Sequence, residues 1–163
     1  MRTKAKALPE APDASWPRYT AKAFPPYRFV PARTPHPQRD PDGHAFGQAA
    51  EHPAPVSVES WRENRVYLYG IDLYNYAYWW ECHEALEGLW LAEGRRTEQA
   101  KFLQGLIQVS AANLQRFMGG AGAADRLLRD GLGRLDSVHG GRGCHGHSDA
   151  LLPARRRRVH DHE

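Results

Sequence analysis

The sequence predicts an all-α protein: a small bundle of about four helices, a Pro-rich extended N-terminal arm packed on it, and a disordered C-terminal tail. Three observations carry that prediction. Eleven of the twelve prolines fall in residues 1–56, and proline removes a backbone donor and blocks helix interiors, so this region cannot be a helical layer. Between residues 57 and 136 proline is absent and apolar residues recur at the helical period. From Ser137 onward glycine, arginine and histidine dominate without core periodicity, as in a terminus that buries nothing. The chain therefore divides into an arm (1–56), a helical domain (57–136) and a basic, His-rich tail (137–163).

The arm is too aromatic for a solvated linker. Phe24-Pro25-Pro26-Tyr27-Arg28-Phe29-Val30-Pro31 reads as an extended segment lying on the helices over residues 24–47. The loop from Thr34 to His44 then holds His36, Asp40, Asp42 and His44. It is either a lid that brings a ligand to the main site or a surface loop with solvated charges.

The first helix is expected over Val58–Tyr76 with Ser57 as N-cap. Trp61, Leu68, Ile71, Asp72 and Asn75 share one face, so Asp72 is an acid among apolar neighbours. It either hydrogen-bonds the turn at Asn75–Ala77 or partners His83. Gly70 is unfavourable in a helix interior by about 1 kcal/mol relative to alanine, which points to a close helix contact. The second helix, Tyr78 to about Glu93, stops at Gly94. Thr97 caps a third that runs to about Met118. Phe102–Gln115 carries no charge and marks the central helix, with Leu103, Leu106, Ile107, Leu114 and Phe117 as its stripe. Gln104 and Gln108 flank it, as partners of a buried carboxylate or ligand or as groove residues. A shorter fourth helix is expected over Ala123–Leu135.

Bulk properties narrow the function classes. Net charge is only +3, and the pI near 9 rests heavily on Arg155–Arg158, so nucleic acid is a disfavoured partner. Two cysteines in unrelated contexts, Cys82 and Cys144, form no disulfide framework and fit a reducing compartment. No signal peptide and no membrane span is legible, and a cytoplasmic location is expected.

The chemistry concentrates in Trp79–Trp90. On a helical wheel His83 and Glu87 stand one turn apart, on the side also marked by Trp79, Trp80, Leu86 and Trp90. Glu81, Glu84 and Gly88 lie off that stripe. An imidazole and a carboxylate on a face read as buried must be paired, protonated or metal-bound, because an isolated buried charge is costly. The expected site is therefore a divalent-metal or small-molecule site, with His83, Glu87, Asp72 and Glu84 as candidate ligands. Trp79, Trp80, Trp90, Gln104 and Gln108 are its candidate pocket. His36 or His44 could complete the shell.

His83-Glu84-Ala85-Leu86-Glu87-Gly88-Leu89-Trp90 fits H-x-x-x-E-x-x-W/Y, and Phe102-Leu103-Gln104-Gly105-Leu106-Ile107-Gln108 fits a second block. Over roughly Trp61–Leu135 the chain thereby resembles the bacterial and archaeal domain of unknown function family 309. The resemblance implies a small all-helical domain without an established activity, and a metal-binding role for the signature, here His83 and Glu87.

Two functions compete. One is a metal-dependent enzyme, most plausibly a hydrolase: Glu84 beside His83 is similar to the base of H-E-x-x-H zinc proteases, although Glu87 stands where the second histidine would be. The other is a non-enzymatic structural or interaction module in which His83–Glu87 is a buried structural pair. A helical core of about 80 residues buries only around 60% of its unfolded surface, so the arm or a second copy of the chain is expected to complete it.

Overall fold

The computed structural model describes residues 7–49 and 52–140, and every regular element among them is helical. A single 3-10 turn at Trp61–Glu63 precedes α1 (Arg65–Asn75), α2 (Trp79–Ala92), α3 (Glu98–Phe117) and α4 (Ala121–Gly140). Each helix packs chiefly on its neighbour in sequence. None of them is long and apolar enough to cross a membrane.

The caps explain the boundaries. The hydroxyl of Ser57 is engaged by Glu59 in a local turn, so it does not start the first helix as expected. Asn64 does: its Oδ1 accepts from the Tyr67 amide at 2.9 Å, satisfying one of the donors a helix start leaves free. Thr97 caps α3 as expected, accepting from the Ala100 amide at 3.0 Å. Helix α4 is longer than the spacing of its leucines suggests and continues through residues 137–140, which were assigned to the tail. The expectations for Cys144, for the rest of the tail and for Arg155–Arg158 lie outside the described residues.

Helices α1 and α2 form an antiparallel hairpin through Tyr76-Ala77-Tyr78. At Gly70 a Cβ would come within 2.9 Å of Leu86 Cδ2, so the glycine sets the closeness of the pair. The core is built from Tyr67, Leu68, Ile71 and Leu73 of α1, Cys82, Leu86 and Leu89 of α2, and Leu103 of α3. Ser110 of α3 ties the layers by donating to the Trp79 carbonyl at 2.7 Å. Burial pushes the Cys82 thiol up to about 12, so it stays protonated and serves as an apolar residue.

The arm docks on the α1–α2 hairpin through its main chain. Tyr69, Tyr76 and Tyr78 donate their hydroxyls to the carbonyls of Ala23 at 2.8 Å, Trp16 at 2.5 Å and Pro25 at 3.1 Å. The Phe24 ring sits 4.9 Å from the rings of both Tyr76 and Tyr78. The Arg18 guanidinium lies 4.0 Å above Phe24, and that of Arg28 lies 4.4 Å above Tyr78. Guanidinium and tyrosine pairs of this kind bury apolar area while keeping their polar ends bonded.

Candidate functional site

The carboxylate nearest the arm's start is Asp72, 1% exposed. Its oxygens accept from the Tyr19 amide (2.8 Å), the Thr20 amide (3.0 Å) and the Thr20 hydroxyl (2.7 Å), with Arg18 Nε at 3.6 Å. Asp72 is therefore neither a partner of His83 nor a brace for the following turn. The arm uses its acceptor capacity.

On α2 the buried face differs from the wheel reading. Glu81, Cys82, Leu86 and Leu89 point inward, while His83 and Glu87 lie half-buried on the flank. The inward carboxylate is thus Glu81, which the indole positions had placed off the stripe. The side chain of Glu81 is 5% exposed. Its Oε1 accepts from the Phe29 amide at 2.8 Å and meets His44 Nε2 at 3.2 Å. Burial raises its pKa above the ordinary carboxylate range, against the opposing pull of those hydrogen bonds.

His44 reaches Glu81 because the loop before it is tightly closed. The Ala45 amide bonds the Pro37 carbonyl at 2.9 Å and the Gly43 amide bonds the Asp40 carbonyl at 2.8 Å. A Cβ at Gly43 would collide with the carbonyl oxygens of His36 and Pro37 at 2.3 Å, so only glycine fits there. The same loop lays the His36 ring against Phe29 and Trp80 and places Gln38 Nε2 at 3.4 Å from Glu84. The loop thus touches the α2 wall through His36, Gln38 and His44, while Asp42 is exposed.

His83, Glu84 and Glu87 are brought together. One candidate ligand atom from each lies within 4.8 Å of the others, and all three residues are half-buried. His83 Nδ1 stands 3.3 Å from Glu84 Oε1, yet it is buried without a well-formed hydrogen bond. The adjacent Glu84 carboxylate holds the imidazole pKa above its usual value, outweighing desolvation, with a smaller push from Glu87. His83 is thus paired to Glu84 rather than to Glu87, and at 32% side-chain exposure it is not the sealed structural pair of the second sequence reading. Neutral imidazole and two carboxylates on one helical flank are a donor set for a divalent cation of intermediate softness.

The expected pocket does not assemble around the tryptophans. Trp79 edges onto Phe117, Trp90 lies under Arg95, and Gln108 accepts from Arg134 Nε at 3.0 Å. Gln104 is half-buried on α3. Of these residues Trp80 alone lines a cleft of about 1100 Å³ between the arm and the α1–α2 hairpin. Glu81, Glu84 and Glu87 line its α2 wall, with His44 and Gln38 facing them from the arm. Sequence reasoning passed over Glu81 because its partners lie in the arm, about fifty residues upstream.

No curated protein and no solved structure matches the chain. Residues 67–127, from the first turn of α1 into α4, match the family described as domain of unknown function (DUF309). The stretch contains the half-buried histidine, both flanking glutamates and the buried Glu81, and over it the chain is similar to the DUF309 family.

Proposed function

We propose that the helical domain binds a divalent metal ion through His83, Glu84 and Glu87. The observation that carries this reading is the convergence of three ligand-type atoms within 4.8 Å on one accessible flank, next to a cleft large enough for a small molecule. Three protein ligands leave coordination positions open, the arrangement of catalytic rather than structural sites. Bound there, an ion would supply Lewis-acid chemistry, and hydrolysis of a small molecule held in the cleft is the reaction class that fits. Glu81 and Asp72 each bind the arm's main chain, whereas His83, Glu84 and Glu87 lie together on the half-buried flank.

The test is calorimetric titration of the full chain with zinc and manganese after chelation. One ion is expected to bind per chain, and His83→Ala and Glu87→Gln are each expected to weaken binding by at least about tenfold. Stoichiometric binding that survives both substitutions would place the ion elsewhere, and no binding at all would remove the reading.

A further inference from the structure

The cleft itself carries a second assignment that does not depend on the metal. Glu81, Glu84 and Glu87 are spaced three residues apart along α2, so successive Cβ atoms are about 5–6 Å apart and the row winds slowly around the helix. Glu81 is 5% exposed and Glu84 33%, and Glu87 is half-buried. Three carboxylates in a row would not by themselves indicate a ligand. Glu81 adds the independent observation: its Oε2 is buried and has no hydrogen-bond partner among the described residues, in a residue that lines the cleft. A buried acceptor left unpaired is unfavourable, and a donor arriving through the cleft would satisfy it.

The rest of the lining indicates which donor. Trp80, Tyr69 and Phe24 line the cleft with aromatic surface. The alkylammonium of Lys22 already rests 4.7 Å from the centre of the Tyr69 ring, so the cleft receives this chemical group within the chain itself. Arg65, the other cation on the lining, is exposed at the rim. Carboxylates at repeated short intervals in a cleft also lined by aromatic rings match a flexible chain of methylenes that carries ammonium groups at similar intervals.

We propose that this cleft binds a linear aliphatic di- or polyamine, its ammonium groups seated along Glu81, Glu84 and Glu87. The chain's net charge of +3 gives no general attraction for polycations, so saturable binding would have to come from a local site. Because Glu84 and Glu87 also serve the metal reading, amine and metal exclude one another, but each depends on a residue the other does not use.

Spermidine and 1,4-diaminobutane are titrated calorimetrically into the full chain in the presence of chelator. Saturable one-to-one binding is expected, with 1-aminobutane at least about tenfold weaker because it reaches only one carboxylate. Glu81→Gln, which keeps an acceptor for the Phe29 amide, is expected to weaken spermidine about tenfold or more while metal binding is retained. His83→Ala is expected to do the reverse. Failure of both amines to bind at millimolar concentration, or equal affinity in wild type and folded Glu81→Gln protein, would overturn the assignment. Should Glu81→Gln lose its helical circular dichroism, Glu87→Gln decides the matter: weakened spermidine binding supports the assignment and unchanged binding overturns it.

Discussion

Two sets of acids on the same helical hairpin have opposite fates. Asp72 and Glu81 are buried and reach into the arm, where main-chain amides of Tyr19, Thr20 and Phe29 occupy them. Glu84 and Glu87 stand half-buried with His83 on the flank, and their ligand atoms face one another rather than a backbone. The first set fixes architecture, with only Glu81 Oε2 left unpaired among its oxygens, and the second is the more open to chemistry. Burial alone therefore does not identify a functional carboxylate; what matters is whether the fold has already supplied its donors.

The largest expected difference between the two sets is in stability. Asp72→Ala leaves two arm amides and a hydroxyl without their acceptor, and we expect a loss of roughly 3 kcal/mol, read as a lower urea midpoint, with early proteolysis near residues 18–20. A midpoint unchanged from wild type would contradict the structural role of the first set. Next comes Glu81, whose folded pKa lies above that of the unfolded chain because it is buried. Its contribution is complete below the unfolded value of about 4.3 and is lost as pH rises through the raised folded value. Glu81→Gln removes the titration, so the variant's stability is expected to fall less than that of wild type as pH rises above the unfolded value. Parallel profiles would show that Glu81 does not titrate abnormally.

The second set should barely register in unfolding. His83→Ala is expected to shift stability by less than about 1 kcal/mol while removing metal binding, and a collapse of the fold would move His83 into the structural set. The smallest effect is a titration midpoint. Glu84 raises the His83 pKa, so the proton bound to His83 contributes stability below the unfolded value of about 6.5 that is lost as pH rises through the folded value. Glu84→Gln is expected to lower the His83 midpoint followed by nuclear magnetic resonance, with no change in helix content. A midpoint that does not move would mean that Glu84 is not the group acting on the imidazole.

The helices were legible because local signals agree: a period near 3.6, Thr97 before α3, Gly94 after α2 and a charge-free run at the centre. The inward face of α2 was not, for a physical reason. Trp79, Trp80 and Trp90 suggest an apolar face, but indoles are amphipathic and serve well at half-buried positions, as these three do. The direction of Glu81 is set by the Phe29 amide and His44, contacts about fifty and about forty residues away that no helical period encodes. Asp72 was recognised as an acid in apolar surroundings, and its true donors belong to a segment with no regular structure of its own. Three of the four expected ligands, His83, Glu84 and Glu87, can be read together because they sit within about one turn of one helix, whereas Asp72 lies with the arm. The cleft was not, because half of it is arm.

The arm's attachment through peptide groups has one more consequence. Thr20 is held at Asp72 and Phe29 at Glu81, and the tyrosine hydroxyls grip carbonyls at Ala23 and Pro25 between them. Side-chain identity along this strap contributes little to those grips, whereas its contour length is fixed by anchors on rigid helices. Point changes at Ala21 or Ala23, whose side chains carry no such contact, should be absorbed, while deleting a single residue between Thr20 and Phe29 would pull one end off its hold and uncover the tyrosine face beneath.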